Sequence, residues 1–290
     1  MMKKSGSVNF KRRKLAGIIG ILLAASAACR LLVIGTEYFE GPAVYRSLRR
    51  SFVTDAKVRR IPGGTDSAGG AVPKTEDEKP AQNESESADA STGADDGTVD
   101  YRSVQIDFSC LKGINEDIIG WLMFDGNGIS YPVLQGTDNR KYLYTLADKT
   151  QNDAGSIFMD SLCAPDFEDP HTILYGHNRK DGTMFGKLKL YAADPSYYEK
   201  NRFFTVYTPD GYFRYEIFAW YETAEDDIVY QAGFAADKTF TSFAEQLLKR
   251  GNTDTLTTVG MEDKIITLST CSSAGKRFVV HGKRMGGKER

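Results

Sequence analysis

The sequence predicts a mostly-β domain, a barrel with peripheral helices, preceded by an apolar span and a polar linker. Three observations lead there. Short β-branched or aromatic runs recur from Ile118 to His281, separated by turn signals such as Asp125-Gly126-Asn127-Gly128 and Pro209-Asp210-Gly211. Only two or three stretches carry helical periodicity, which suits a mostly antiparallel barrel. Residues 15–35 are almost wholly apolar, whereas 61–100 hold almost no large apolar residue.

Taken in order, residues 1–14 form a basic tail containing Lys11-Arg12-Arg13-Lys14. The run 15–35 is long enough to cross a bilayer, which takes about 20 residues as a helix. Arg30 falls near its far end, where a cation can snorkel. The reading is a single transmembrane anchor, with the basic tail in the cytoplasm and the rest outside. A cleaved signal peptide is the competing reading, because Ala25-Ser26-Ala27 resembles a cleavage site. Residues 36–60 read as a membrane-proximal segment with a short helix. Residues 61–100, rich in Gly, Ser, Asp and Glu, read as a disordered acidic linker, since they cannot bury enough surface to offset chain entropy. Its expected role is reach.

The globular domain spans 101–290. Val104 to Ile114 has a helical pattern. Ile118 to Phe124 and Ile129 to Leu134 read as a hairpin, with Pro132 marking the second strand as an edge or bulged one. Ser156 to Met159 and Thr172 to Tyr175 are short strands, and Phe203 to Tyr207 with Tyr212 to Tyr221 form a long hairpin. Asp237 to Arg250 is a helix, with Phe240, Phe243, Ala244 and Leu247 at three-to-four spacing. The run 264–268 then delivers Cys271 into a Ser-Ser-Ala-Gly turn, and Phe278 to His281 returns.

Composition excludes several functions. Net charge is −2 and the folded part has no basic stripe, so nucleic acid is not an expected partner. The four cysteines include no Cys-x-x-Cys pair and there are three histidines, so neither a disulfide framework nor a metal site is indicated. The residues that remain point to thiol chemistry. Cys271 stands at a strand end, and antiparallel pairing of the next strand places Arg277 beside it, where a guanidinium stabilises a thiolate. His177 follows another strand, after Gly176. A nucleophile, an acid/base and an electrostatic stabiliser form the inventory of a thiol acyl-transfer enzyme. His171, after Asp169-Pro170, reads as a loop residue. His281 reads as an ordinary strand residue and Cys163 as a packed or partly exposed thiol.

Thr267-Leu268-Ser269-Thr270-Cys271, the arginine opening the next strand and Tyr175-Gly176-His177 resemble a sortase, specifically class B. Ile119-Gly120-Trp121-Leu122, Tyr131-Pro132-Val133, Asp138 to Leu143, Gly155 to Asp160 and Tyr207 to Gly211 are similar to that class and in its order. The segment Glu222 to Tyr230 with the helix 237–250 lies where class B carries its extra helix. The resemblance implies a closed sortase-type β-barrel and a cysteine transpeptidase. It implies that Cys271 attacks the carbonyl after the threonine of a C-terminal sorting signal, that a thioacyl enzyme forms, and that an amine on a peptidoglycan precursor resolves it. By the same resemblance His177 is the acid/base, Arg277 holds substrate and the oxyanion, and Asn139, Leu143 and Ser269 line the substrate groove. No cofactor is implied. Surface proteins bearing a sorting signal are the implied partners, and the cell membrane, with the catalytic domain outside, is the implied location. The turn 272–276 is short for the class, which leaves Arg284 as a rival arginine. A pilin-polymerising sortase and a catalytically silent, surface-tethered binding module are the alternatives. Ser269-Thr270-Cys271 does not fit the Ser-His-Gly-Cys motif of L,D-transpeptidases.

Overall fold

A computed structural model describes residues 38–54, 100–251, 255, 257–271 and 275–289. The expected anchor 15–35 and most of the expected linker 61–100 lie outside those residues. Among the described residues no helix is long and apolar enough to cross a membrane.

The strands are β1 (Val53–Thr54), β2 (Gln105–Ile106), β3 (Ile118–Phe124), β4 (Ser130–Gln135), β5 (Ile157–Met159), β6 (His171–Gly176), β7 (Phe203–Thr208), β8 (Gly211–Ala224), β9 (Ile265–Cys271) and β10 (Lys276–Glu289). Helical residues 38–52 form α1, followed by α2 (Phe108–Ile114), α3 (Leu190–Ala193), α4 (Tyr197–Lys200) and α5 (Lys238–Arg250). Strands β3 to β10 close a barrel in the order β10-β8-β7-β3-β4-β5-β6-β9. Six of its ladders are antiparallel, but β4–β5 and β6–β9 are parallel. Closure leaves no open sheet edge.

Trp121, Leu122, Leu134, Phe158, Leu174, Phe204 and Val206 are buried in the main core. A second core lies outside the barrel wall. There α5 sets Phe240, Phe243, Ala244 and Leu247 against Phe218, Ala219, Ile265 and Val279. Asp237 caps α5 by accepting from the Thr239 and Phe240 amides at 2.8 and 3.2 Å, as a helix start requires.

Several expectations change. The helix expected from Val104 starts only at Phe108, because Ile106 pairs with Val53 in a small two-stranded sheet and Asp107 caps the turn that follows. Strand β4 is not an edge. It pairs with β3 on one side and β5 on the other, but β5 begins opposite Val133, so Pro132 needs no donor there. The bulge sits in β3 instead, at Ile119. Strand β10 runs far past His281, paired along β8 for nearly its whole length.

His171 is not a loop residue. It opens β6 and is fully buried. Its Nδ1 lies 2.8 Å from the Gln231 carbonyl and its Nε2 lies 2.7 Å from Thr267 Oγ1, which lies 2.9 Å from Nδ1 of the buried His281. A carbonyl only accepts, so Nδ1–H of His171 must donate to it. In the neutral ring Nε2 then accepts from the Thr267 hydroxyl, whose oxygen accepts Nδ1–H of His281. Full burial holds both rings neutral, and the buried Nε2 of His281 has no hydrogen-bond partner among the described residues. Burial pushes the imidazole of His171 down to about 4 and that of His281 to about 3.

The unfolded chain protonates these histidines near 6.5, and the folded chain does not until pH 4 or below. Their contribution is complete above pH 6.5 and is lost as pH falls from there toward 4 and then 3. The expected slope is roughly 1 kcal/mol per pH unit for each ring. Urea unfolding between pH 6.5 and 5 should show this decline, and His281→Phe should remove about half of it. An unchanged slope would refute the assignment.

Candidate active site

The parallel ladder between β6 and β9 aligns Tyr175 with Ser269 and Gly176 with Thr270. The next residues, His177 just past β6 and Cys271 at the last position of β9, therefore lie at the same end of neighbouring strands. Strand β10 returns antiparallel and pairs Arg277 with Cys271. The three candidate catalytic positions are brought together at one end of the barrel. A cleft of about 280 Å³ opens there, lined by His177, Arg277, Ser269 and Thr270 among others.

Asn139 and Leu143 line the same cleft, Leu143 from the short 3-10 turn Lys141–Leu143 and Asn139 from the bend just before it. Each also has a structural task. Asn139 donates from Nδ2 to Asp160 Oδ2 at 2.8 Å and accepts from the Ser161 amide at 2.8 Å. The Leu143 carbonyl lies 2.7 Å from His177 Nε2. A carbonyl only accepts, so Nε2 carries the proton and Nδ1 is the nitrogen left for chemistry. The glycine before His177 is dictated by space: a Cβ at Gly176 would lie 2.4 Å from Ile157 Cδ1 and 2.7 Å from Phe185 Cδ2.

Four contributors were given no site role from sequence. Buried Asp160 accepts from Asn139 and, at 2.8 Å, from the Tyr175 hydroxyl, so one carboxylate orients two cleft residues. Burial first, then Asp160, pushes the Tyr175 phenol up, which keeps it a neutral donor. Tyr230 stacks on Tyr175 and shares a 2.9 Å hydrogen bond with Ser269 Oγ. Glu225 accepts from Arg277 Nη2 at 2.9 Å. Both belong to the β8–α5 connection, whose composition says nothing of a cleft wall. Arg284, the rival arginine, is elsewhere. It pairs with Glu168 at 2.9 Å and stacks 3.7 Å over Phe213, on a stretch of β10 opposite Tyr215. Cys163 is buried and Cys110 exposed, both as free thiols; burial raises the Cys163 thiol to about 12, far from a reactive range.

The sortase-domain family matches residues 123–285, more than half of the chain. The chain belongs to the sortase family. Its relatives place it in class B. Sortase B of Staphylococcus aureus (strain NCTC 8325 / PS 47) is 34% identical over 184 residues, 62% of this chain and 75% of that protein. Sortase B of Listeria monocytogenes serovar 1/2a (strain ATCC BAA-679 / EGD-e) is 34% identical over 177 residues, 60% and 72% of the two chains. A crystal structure of a Bacillus anthracis protein described as similar to sortase B aligns with a TM-score of 0.58 at 36% identity, covering 64% of this chain and 84% of that one. A Staphylococcus aureus sortase B–substrate complex aligns with a TM-score of 0.58 at 34% identity, covering 61% and 84%. The chain is therefore a class B, sortase-type cysteine transpeptidase built on the closed β-barrel described above.

The sortase cleft depends on a glycine outside it. Gly155 has φ +56°, and a Cβ there would meet the Leu143 carbonyl oxygen at 2.4 Å. That oxygen holds His177. Gly155→Ala should therefore cut kcat/KM by tenfold or more, beyond the roughly 1–2 kcal/mol of stability that left-handed strain costs. Gly128→Ala is the control. Its φ is +77°, but its Cβ would meet only Lys187 Nζ at 3.5 Å, so stability should drop while kcat/KM stays near wild type. Equal losses of activity in the two variants would contradict the positioning role.

Proposed function

We propose that this sortase is a membrane-anchored enzyme that cuts a C-terminal sorting signal after threonine and transfers the protein to a cell-wall amine. The observation that carries the reading is the register around the cleft, in which Gly176 pairs with Thr270 and Arg277 pairs with Cys271. The family supplies sorting signals as the substrate class, and a substrate complex of a class B relative supports a peptide in this cleft.

In this reading the Cys271 sulfur, as thiolate, attacks the threonine carbonyl carbon. A C–S bond forms while the scissile C–N bond breaks. His177 gives a proton to the leaving amine through Nδ1, the nitrogen not engaged by Leu143. Arg277 stabilises the oxyanion of each tetrahedral intermediate. An acceptor amine then attacks the thioester, passes its proton to His177 and expels the sulfur. Asn139, Leu143 and Ser269 hold the peptide along the cleft wall. The run 15–35, after Lys11-Arg12-Arg13-Lys14, anchors the chain with its barrel on the outer face.

The purified protein, offered a library of sorting peptides and a small amine, tests this by mass spectrometry. The expected products are a cut after threonine, an acyl adduct on Cys271 and a new amide. Cys271→Ala and His177→Ala should abolish product. Arg277→Lys should leave little, because an ammonium lacks the planar fork of a guanidinium. Turnover that survives Cys271→Ala would refute the mechanism.

A further inference from the structure

Helix α1 is clamped to the barrel along one side. Tyr45 is buried and donates to the Gly155 carbonyl at 2.7 Å, and its ring meets Tyr131 edge-on at 5.3 Å. Leu48 is buried beside it. Arg179 lies 4.2 Å over the Tyr38 ring and donates to the Tyr38 carbonyl at 2.9 Å. Strand β1 then pairs with β2, Val53 opposite Ile106. The chain is thus fixed to the barrel both before residue 55 and after residue 99.

The other side of α1 is cationic. Arg46 and Arg50 are exposed and Arg49 is half-buried. Arg46, Arg49 and Lys187 line one hollow of about 230 Å³. The acid in that hollow, Asp181, is already paired with Arg179 at 3.1 Å. Lys187 donates to the Asn127 carbonyl, which leaves its charge uncancelled. Glu40, on the same helix, is exposed nearer the N-terminal end, next to Phe39, which is 73% exposed. Among the described residues Arg46, Arg49 and Arg50 make no ion pair.

We propose that α1 and Lys187 form a membrane-docking face that binds the phosphates of anionic lipid headgroups and holds the cleft at a fixed attitude over the bilayer. The inference rests on the anchored reading of residues 15–35. Only residues 36 and 37 separate that run from Tyr38, the first described residue of α1, which the anchored reading places close to the bilayer surface. With the helix lying along the bilayer, its arginines come within a Debye length of the headgroups, where an anionic surface attracts them. Phe39, largely exposed, suits the interface, where aromatic side chains collect. The acidic linker does not set the spacing, because the chain preceding it is already on the barrel. Docking also reaches the site: Tyr45 bonds Gly155, whose Cα has no room for a side chain beside the carbonyl that holds His177.

The test uses the full chain with Ser47→Trp, an exposed α1 position, reconstituted into vesicles that carry a dansyl acceptor on the headgroup. Energy transfer from the added tryptophan is the difference from the parent chain. With phosphatidylglycerol present, transfer should be strong. It should fall at least threefold in pure phosphatidylcholine, in high salt, and in the Arg46→Gln, Arg49→Gln, Arg50→Gln triple variant, whose unchanged melting temperature would confirm its fold. Equal transfer under all four conditions would overturn the docking face. Flotation in alkaline carbonate reads the anchor separately. Loss of flotation there would refute the anchor, and salt-sensitive, phosphatidylglycerol-dependent binding would still support docking.

Discussion

The parallel pairing of β6 with β9 is the constraint on which the site depends. The two strands are far apart in sequence, yet their ladder runs in register from His171 opposite Ile265 to Gly176 opposite Thr270. Parallel neighbours end on the same side of a sheet, so the residues after them emerge together. Strand β10 then turns back and sets Arg277 level with Cys271. A shift of one residue in either ladder would send alternate side chains to the opposite face. Closure of the barrel and the buried Ile173, Leu174, Ile266 and Leu268 oppose such a shift.

A second layer holds that register in place. Thr267 on β9 bridges His171 on β6 and His281 on β10, a polar contact shared by the three strands of the site. His171 also bonds the Gln231 carbonyl, one residue after Tyr230, which faces Ser269. The dry imidazoles are a cost that the fold carries because each Nδ1–H has a partner. On the far wall Asp160 gathers Asn139 and Tyr175. The Arg277–Glu225 pair is more open to water, so it orients the guanidinium with little net stabilisation and can yield to a substrate.

Much of this was legible in the residues themselves. Strand β3 falls where its apolar run placed it, and α5 starts one residue after the Asp237 cap. Cys271, His177 and Arg277 stood out because each adjoins a strand end next to glycine or a turn. What was not legible has a common cause. Nothing local marks β6 and β9 as neighbours, since a parallel pairing leaves no turn signature. Pro132 looked like an edge residue because sequence does not reveal where β5 begins opposite it. His171 and His281 looked unremarkable singly, and their meaning comes from a threonine between them. Glu225 and Tyr230 sit in a connection whose path over the cleft depends on how α5 docks.

The convergence of residues 177 and 271 is tested most directly by a bifunctional alkylator with a three-carbon span, 1,3-dibromoacetone, followed by peptide mass spectrometry. The account predicts a bridge joining the Cys271 peptide to the His177 peptide, lost in His177→Ala. Alkylation of Cys271 alone, with no bridge to residue 177 at any reagent ratio, would contradict it.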